Sequence, residues 1–267
     1  MKTFEVERGD GPIVLGQPHG GTWVPDHIFA RLNPLGQGLD DTDWHITRLY
    51  EGLLESATVV RSNVHRYVID ANRDPEGASL YPGQNTTNLC PLTDFDGASI
   101  WASGQAPSDE EILDRREAYH VPYHMALAAE LDRVRAKHGV AILFDCHSIR
   151  SKIPFLFEGT LPVFSIGTNN GTTCARSIED AVSRGCGAAE GFDTVLNGRF
   201  KGGWTTRHYG RPEAGQHAIQ MELAQSAYMI ESSPWLYRED LAGPLRVVLR
   251  DILNEIKDIA LSGALQA

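Results

Sequence analysis

The 267-residue chain is 42% hydrophobic and 22% charged, an ordinary globular balance with enough apolar residues for a sizeable core. A formal net charge of −11 and a pI near 5.3 argue against a nucleic-acid partner, which needs a positive surface; an anionic substrate must be held by local arginines against the overall field. No apolar run approaches the ~18 residues of a membrane span. The opening MKTFEVERGDGPIVLG lacks the charged and apolar regions of a signal peptide, and Cys90, Cys146, Cys174 and Cys186 show no CxxC pairing, so a cytoplasmic protein with reduced thiols is expected.

Taken in chain order, hydrophobic patterning predicts strands at 12–16, 58–61, 64–69, 140–146, 161–167, 194–197 and 216–223. A helix is predicted over 42–56, with Ile46, Leu49, Tyr50, Leu53 and Leu54 on one face. Asp40, Asp41 and Asp43 lie near its start, where the helix dipole favours anions. A longer helical run begins at Ser108, which forms a capping-box pattern with Glu111, and stops at Gly139; Pro122 predicts a break or kink within it. Residues 173–185 and 234–262 complete the helices, the last one packing outside the sheet. Residues 74–107, rich in Gly, Pro, Asn and Thr, read as a long irregular loop of the kind that is functional, disordered or held against a site. Strands alternating with helices predict an α/β fold with a largely parallel or mixed sheet in a single domain over 1–267.

In open α/β sheets, ligands gather outside the carboxyl ends of strands. His19 follows the first predicted strand, in PHGG, and Asp70-Ala71-Asn72-Arg73 follows the strand at 64–69. Asp145 and His147 end the strand at 140–146, and Glu222 lies within HAIQMEL. Two histidines with a carboxylate and a separate glutamate match the inventory of a hydrolytic zinc site: three ligands, one open position and a general base. Each histidine alone reads more readily as a turn or strand-end residue than as a ligand; their joint placement favours metal. Asp145 suits an acceptor that orients a histidine, or a loop cap. Asn72 and Arg73 could grip a carboxylate, and Arg66 could polarise a carbonyl oxygen. In RFKGGWTTRHYG, Arg207 with Thr206 and Tyr209 reads as a second anion clamp or as part of a surface hairpin.

These residues resemble the N-formylglutamate amidohydrolase (N-formylglutamate deformylase) family. The resemblance rests on PHGG (18–21), DTDWHITRLY (41–50), RYVIDANR (66–73), LYPGQNTTNLCP (80–91), YHVPYH (119–124), DCHS (145–148), FKGGWTTRHYG (200–210) and HAIQMEL (217–223), in order along nearly the whole chain. It implies kinship with zinc carboxypeptidases and aspartoacylases, hence a three-layer α/β/α hydrolase fold. Carried over by position, His19 and His147 would be zinc ligands, Asn72 and Arg73 the carboxylate clamp and Glu222 the general base; on chemical grounds Arg66 could stabilise the tetrahedral oxyanion. The wider group takes a glutamate three residues after its first histidine; here that residue is Thr22, so a third ligand must come from elsewhere. By analogy with zinc amidases it is sought at the start of the 42–56 helix, where Asp43 shares the inner face with Ile46 and Tyr50 and Asp41 is better placed to cap.

The resemblance implies hydrolysis of N-formyl-L-glutamate to L-glutamate and formate, at the end of a histidine-degradation route, with Zn2+ or another divalent transition metal. The alternatives are an amidohydrolase of another N-acyl amino acid on the same fold, or a metal- or ligand-binding protein without catalysis.

Overall fold

The computed structural model describes residues 2–79 and 83–265, so positions 80–82 of the LYPGQNTTNLCP stretch lie outside the described residues. Seven strands form one sheet: β1 Phe4–Glu7, β2 Ile13–Gln17, β3 Thr58–Ser62, β4 Ala141–Ile149, β5 Phe164–Gly167, β6 Thr194–Leu196 and β7 Gln216–Ala224. Their spatial order is β1-β3-β2-β4-β7-β5-β6. β3, β2, β4 and β7 run parallel, β1 pairs antiparallel to β3, and β5 pairs antiparallel to β7 while parallel to β6.

Eight helices accompany them among the described residues: α1 Asp26–Phe29, α2 Pro34–Gln37, α3 Ile46–Tyr50, α4 Asp109–Arg115, α5 Val121–His138, α6 Arg176–Gly187, α7 Trp204–Tyr209 and α8 Glu239–Leu261. Alternation along the strands assigns each face. Ile13, Leu15, Ile142, Phe144 and Ile219 pack against α3, α6 and α8; Val14, Val60, Leu143 and Ala218 pack against α5 and Tyr209 of α7. The central strands are therefore apolar on both sides, as parallel strands between helical layers must be. The result is the α/β/α sandwich with a mixed, largely parallel sheet. No helix among the described residues is long and apolar enough to cross a membrane.

Several local expectations are corrected. Residues 64–69 do not form a strand: Val64 makes a single bridge to Trp23, and a turn follows, with Val68 N–H donating to His65 O. The run is apolar because Val64, Tyr67 and Val68 pack a separate small core with Ile28, Leu32 and Trp101, which periodicity cannot distinguish from a buried strand. The 42–56 helix shrinks to Ile46–Tyr50. It starts after His45, whose φ of 60° breaks the helical path, so the three aspartates precede it. Asp41 accordingly caps no helix; its carboxylate accepts from Tyr67 OH (2.9 Å) and Phe95 N–H (2.8 Å).

The last helix begins at Glu239 rather than 234, and residues 204–209 form α7 rather than a hairpin arm. β1, which carries no strong alternation, was not predicted. Ser108 and Gly139 do bound the long run: Ser108 Oγ accepts from Glu111 N–H, and Gly139 adopts φ 75°. Pro122 does not break it. A single π-helical turn, Arg116–His120, absorbs the irregularity, and Pro122 falls in the first turn of α5, where no backbone donor is needed.

Candidate active site

β2 connects to β3 on one side, whereas β4 lies on its other side, so the sheet reverses its winding between β2 and β4. A crevice opens there at the carboxyl ends of the strands. His19 lies two residues past β2, His147 is on β4, and β4–β7 register sets Glu222 directly beside His147. Asp43 comes from the turn before α3, whose Asp43 N–H donates to His19 O (3.1 Å) and so ties the two segments together. Gly21 permits the approach of this segment to β3: a Cβ there would lie 2.3 Å from the Asn63 backbone.

Nδ1 of His19 and Nδ1 of His147 are 3.2 Å apart, and Asp43 Oδ2 lies 3.9 and 3.6 Å from them. These three buried residues are the cluster among the described residues whose ligand atoms all fall within 4.8 Å of one another. Ligands on a tetrahedral metal with bonds of about 2.0–2.1 Å sit about 3.3 Å apart, so the triangle fits a zinc-sized divalent ion. The surrounding bonds fit it too. With Nδ1 turned inward, His19 Nε2 meets Asp70 Oδ1 at 2.7 Å and His147 Nε2 lies 3.1 Å from Asp145 Oδ1, the carboxylate–histidine pairing that fixes a ligating tautomer. Thr206 Oγ1 donates to Asp145 Oδ2 (2.9 Å), and Ser148 N–H to Asp43 Oδ2 (2.9 Å).

The electrostatics are those of a cation site. Burial lowers the proton affinity of His19, against Asp70 and Asp43. His147 is buried as well, yet Asp145 and Asp43 pull it far above the usual imidazole range; the same negative field favours a metal cation among the three ligand atoms. Burial would raise Asp43, but Arg66, which donates to Asp43 Oδ1 at 2.8 Å, and the histidines hold it low and ionised. Asp70 is likewise kept well below the carboxylate range despite burial, chiefly by Arg73 and His19. Glu222 behaves in the opposite way: burial pushes it up to about 7, the range a general base needs.

Above this floor is a cleft open to solvent. His19, His147, Glu222 and Arg66 form its base; Arg73, Arg199, Asn85 and Thr87 form a polar side; Phe95, Ile149, Leu156 and Phe200 form an apolar wall. Asn72 also lines it, with its amide 3.1 Å from His147 Nε2 and its Oδ1 accepting from Thr205 N–H. Gly203 must be glycine here, since a Cβ would lie 2.3 Å from Asn72 Nδ2. Arg73 donates to Thr87 O (3.0 Å) and Thr87 Oγ1 (2.9 Å).

Thr206, Arg207 and Tyr209 are not among the residues that line this cavity. Thr206 is buried against Asp145, Arg207 Nε donates to Gly202 O (2.9 Å), and Tyr209 OH donates to His124 O (3.1 Å). Sequence reading assigned no role to four residues that matter in this geometry. Asp70 was visible as the start of DANR, but nothing in the sequence pairs it with His19. Arg199 adjoins the FKGG motif, yet a loop arginine has no periodic signature. His120 and His124 were visible as i and i+4 in YHVPYH. They hold the functional loop from α5's start, His120 Nε2 meeting Arg73 O (3.1 Å) and His124 Nε2 meeting Ala71 O (2.7 Å).

Comparison with known proteins identifies the family and the fold. A family model described as N-formylglutamate amidohydrolase matches residues 11–229. Two curated relatives named N-formylglutamate deformylase, from Pseudomonas aeruginosa and Pseudomonas putida, are each 45% identical over 256 residues, covering 96% of this chain and 96% of the relative. Among solved structures, an N-formylglutamate amidohydrolase from Ralstonia eutropha JMP134 shares the fold with a TM-score of 0.78 at 23% identity, covering 96% of this chain and 98% of its own. A gene product of Agrobacterium tumefaciens does so with a TM-score of 0.73 at 18% identity, over 97% and 96%.

Proposed function

The chain belongs to the N-formylglutamate amidohydrolase family, and from that premise we propose that it is a metal-dependent deformylase. It hydrolyses N-formyl-L-glutamate to L-glutamate and formate, within a histidine-degradation route. The observation that carries the reading is that the His19, Asp43 and His147 ligand atoms meet at the floor of a cavity lined by His19, His147, Glu222 and three arginines, Arg66, Arg73 and Arg199.

A divalent ion held by His19, Asp43 and His147, zinc by the chemistry of the N/N/O donor set, would supply Lewis-acid polarisation of the formyl oxygen and a more acidic water. Glu222, poised near pH 7 by burial, takes a proton from the attacking water and delivers it to the amide nitrogen as the C–N bond breaks. Water thus contributes its oxygen to formate, and its proton leaves on the amine of glutamate. Arg66 reaches the cavity base and offers positive charge to the oxygen that becomes negative in the tetrahedral state. Asp70 and Asp145 keep both imidazoles aimed inward. Arg73 grips a substrate carboxylate, while Asn72 Oδ1 holds the Thr205 backbone beside the site.

The test is formate release from N-formyl-L-glutamate by purified protein, by protein stripped with a chelator, and by stripped protein given zinc, cobalt, iron or manganese. Release that disappears on stripping and returns with a metal is expected. No release under any metal overturns the reading. Release only from longer N-acyl glutamates would make the protein a deacylase instead, and bound metal without any hydrolysis would make it a binding protein.

A further inference from the structure

The helical run between Ser108 and Gly139 contains one turn with an extra residue, Arg116–His120, in which Val121 N–H donates to Arg116 O, five residues back. We propose that this π turn is a positioning device for the site. The extra residue brings Arg115, His120 and His124 onto one face of the run, where they hold the 68–73 segment that carries Asp70, Asn72 and Arg73. The proposal rests on the deformylase reading for the tasks of those three residues. It adds residues that hold the site from behind, since none of Arg115, His120 and His124 lines the cleft.

An α-helix turns ~100° per residue, so residues four apart nearly line up, whereas residues five apart point about 140° away from each other. A π turn gives the fifth residue the place that the fourth would take. Two packing demands along one run create the need for it. α5 is phased by the sheet, because Tyr123, Leu127, Leu131 and Val134 are buried with Val14, Val60 and Leu143. Ahead of it, Ile112 packs against Ile69, Leu89 and Cys90, a separate small core beside the 68–73 segment. A regular helix that met the first demand would rotate Arg115 about 100° away from the second.

With the extra residue in place, Arg115 Nη1 donates to Val68 O (3.0 Å), His124 Nε2 to Ala71 O (2.7 Å) and His120 Nε2 to Arg73 O (3.1 Å). A carbonyl can only accept, so both imidazoles carry a proton on Nε2. Burial lowers the proton affinity of each, pushing His124 down to about 3, which keeps them neutral in that task. The segment they hold is the one whose Asp70 Oδ1 meets His19 Nε2 at 2.7 Å and accepts from Asn72 N–H at 2.8 Å. The other flank is tied in as well. Trp204, the first residue of α7, packs on His120 and His124 with ring centroids 5.6 and 4.8 Å apart, and Thr205 N–H donates to Asn72 Oδ1 (2.9 Å). Rotating Arg115 away leaves Val68 O only the weak Cys90 S–H donor (3.3 Å), and cutting either imidazole leaves a carbonyl without its side-chain donor. The segment that presents Asp70 and Arg73 then loosens.

The experiment uses variants of the full chain: deletion of Ala118, exposed within the π turn, which restores a regular helix; His120→Ala; and His120→Gln, which returns an amide N–H close to the position of Nε2. Each is read for kcat and KM in formate release from N-formyl-L-glutamate, for zinc retention against a competing chelator, and for hydrogen exchange of the peptide spanning 68–73. Wild-type formate release tests the deformylase reading by itself, and hydrogen exchange reads the clamp without metal or substrate. His120→Ala is expected to raise KM about three- to tenfold with a smaller fall in kcat, the scale of one hydrogen bond, and His120→Gln to return KM to within about twofold of wild type. Deletion of Ala118 is expected to raise KM and weaken zinc retention by about three- to tenfold each, and to speed exchange over 68–73 while β4 and β7 keep their protection. Should the deletion fail to fold, Arg115→Met reads the same exchange and zinc retention. Unchanged KM, zinc retention and exchange in whichever of these variants folds, or His120→Gln as impaired as His120→Ala, overturns the assignment.

Discussion

The strand ends of β2, β4 and β7 and the irregular run over 63–107 both deliver side chains to the cavity, by different physical means. On the strands, register does the placing. His147 and Glu222 face each other because their strands are paired residue for residue, and every residue of β4 and β7 is buried. In the irregular run, placement depends on buried polar groups bonded to backbone. Asp41 anchors Phe95 and Tyr67, Asp70 Oδ1 accepts from Asn72 N–H, and His120 and His124 hold Arg73 and Ala71 from α5. A ladder shares the cost of one lost contact among many neighbours, whereas each loop anchor leaves a buried partner unsatisfied when removed. On the proposed mechanism, the strand side would carry the groups that must not move, and the loop side the groups that fit the substrate.

Breaking the strand side should give the largest effects. Glu222→Gln is expected to lower kcat by about 10²- to 10⁴-fold with KM little changed, as loss of a general base does; turnover close to wild type would remove Glu222 from that role. Next comes Asp43→Asn, which keeps the shape but weakens the ligand set. Elemental analysis should find the purified variant depleted of metal, and full metal content with full activity would return the third ligand to open search.

The junction between the regions is Asp70. Asp70→Asn should cut metal affinity or activity about 10- to 100-fold, the usual cost of a lost histidine-orienting carboxylate; titration with a competing chelator measures it, and unchanged affinity would uncouple the loop from the metal. On the loop side, His124→Ala leaves Ala71 O and Tyr209 OH without their imidazole partner, so a loss of about 1–3 kcal/mol in unfolding free energy is expected, with KM rising more than kcat falls. Denaturant melts and steady-state kinetics together would reveal a purely global effect if kinetics at low temperature stayed normal. Arg207→Ala should do least. Arg207 is not among the described residues that line the cavity, so KM for the dicarboxylate should stay within about twofold; a tenfold rise would restore it to the substrate clamp.

Sequence reading was strongest where a motif sits at a strand end. PHGG after β2, DCHS at the end of β4 and HAIQMEL on β7 fall at the crevice because parallel strands between helical layers announce themselves as apolar runs, and their carboxyl ends follow directly. It was weakest over 40–70. There the apolar residues of 64–69 serve a satellite core rather than the sheet, and a positive φ at His45, together with extended backbone at Glu51 before Gly52 (φ 68°), cuts the predicted helix to five residues. That cut also explains why Asp43 is free to turn toward the histidines: a residue within a helix would have had its direction set by the helix axis.

The sequence by itself determined the α/β class, the ends of the strands that carry chemistry, and the candidate metal and base residues, because those depend on local period and on residue type; the three-layer arrangement came only from the resemblance to a known family. Only the tertiary structure decided which aspartate joins the histidines, that Asp70 orients His19, and that Arg199 rather than Arg207 reaches the cavity. Those choices depend on distances between segments far apart in the chain. Such distances are set by packing and buried hydrogen bonds, which leave no periodic trace in the order of residues.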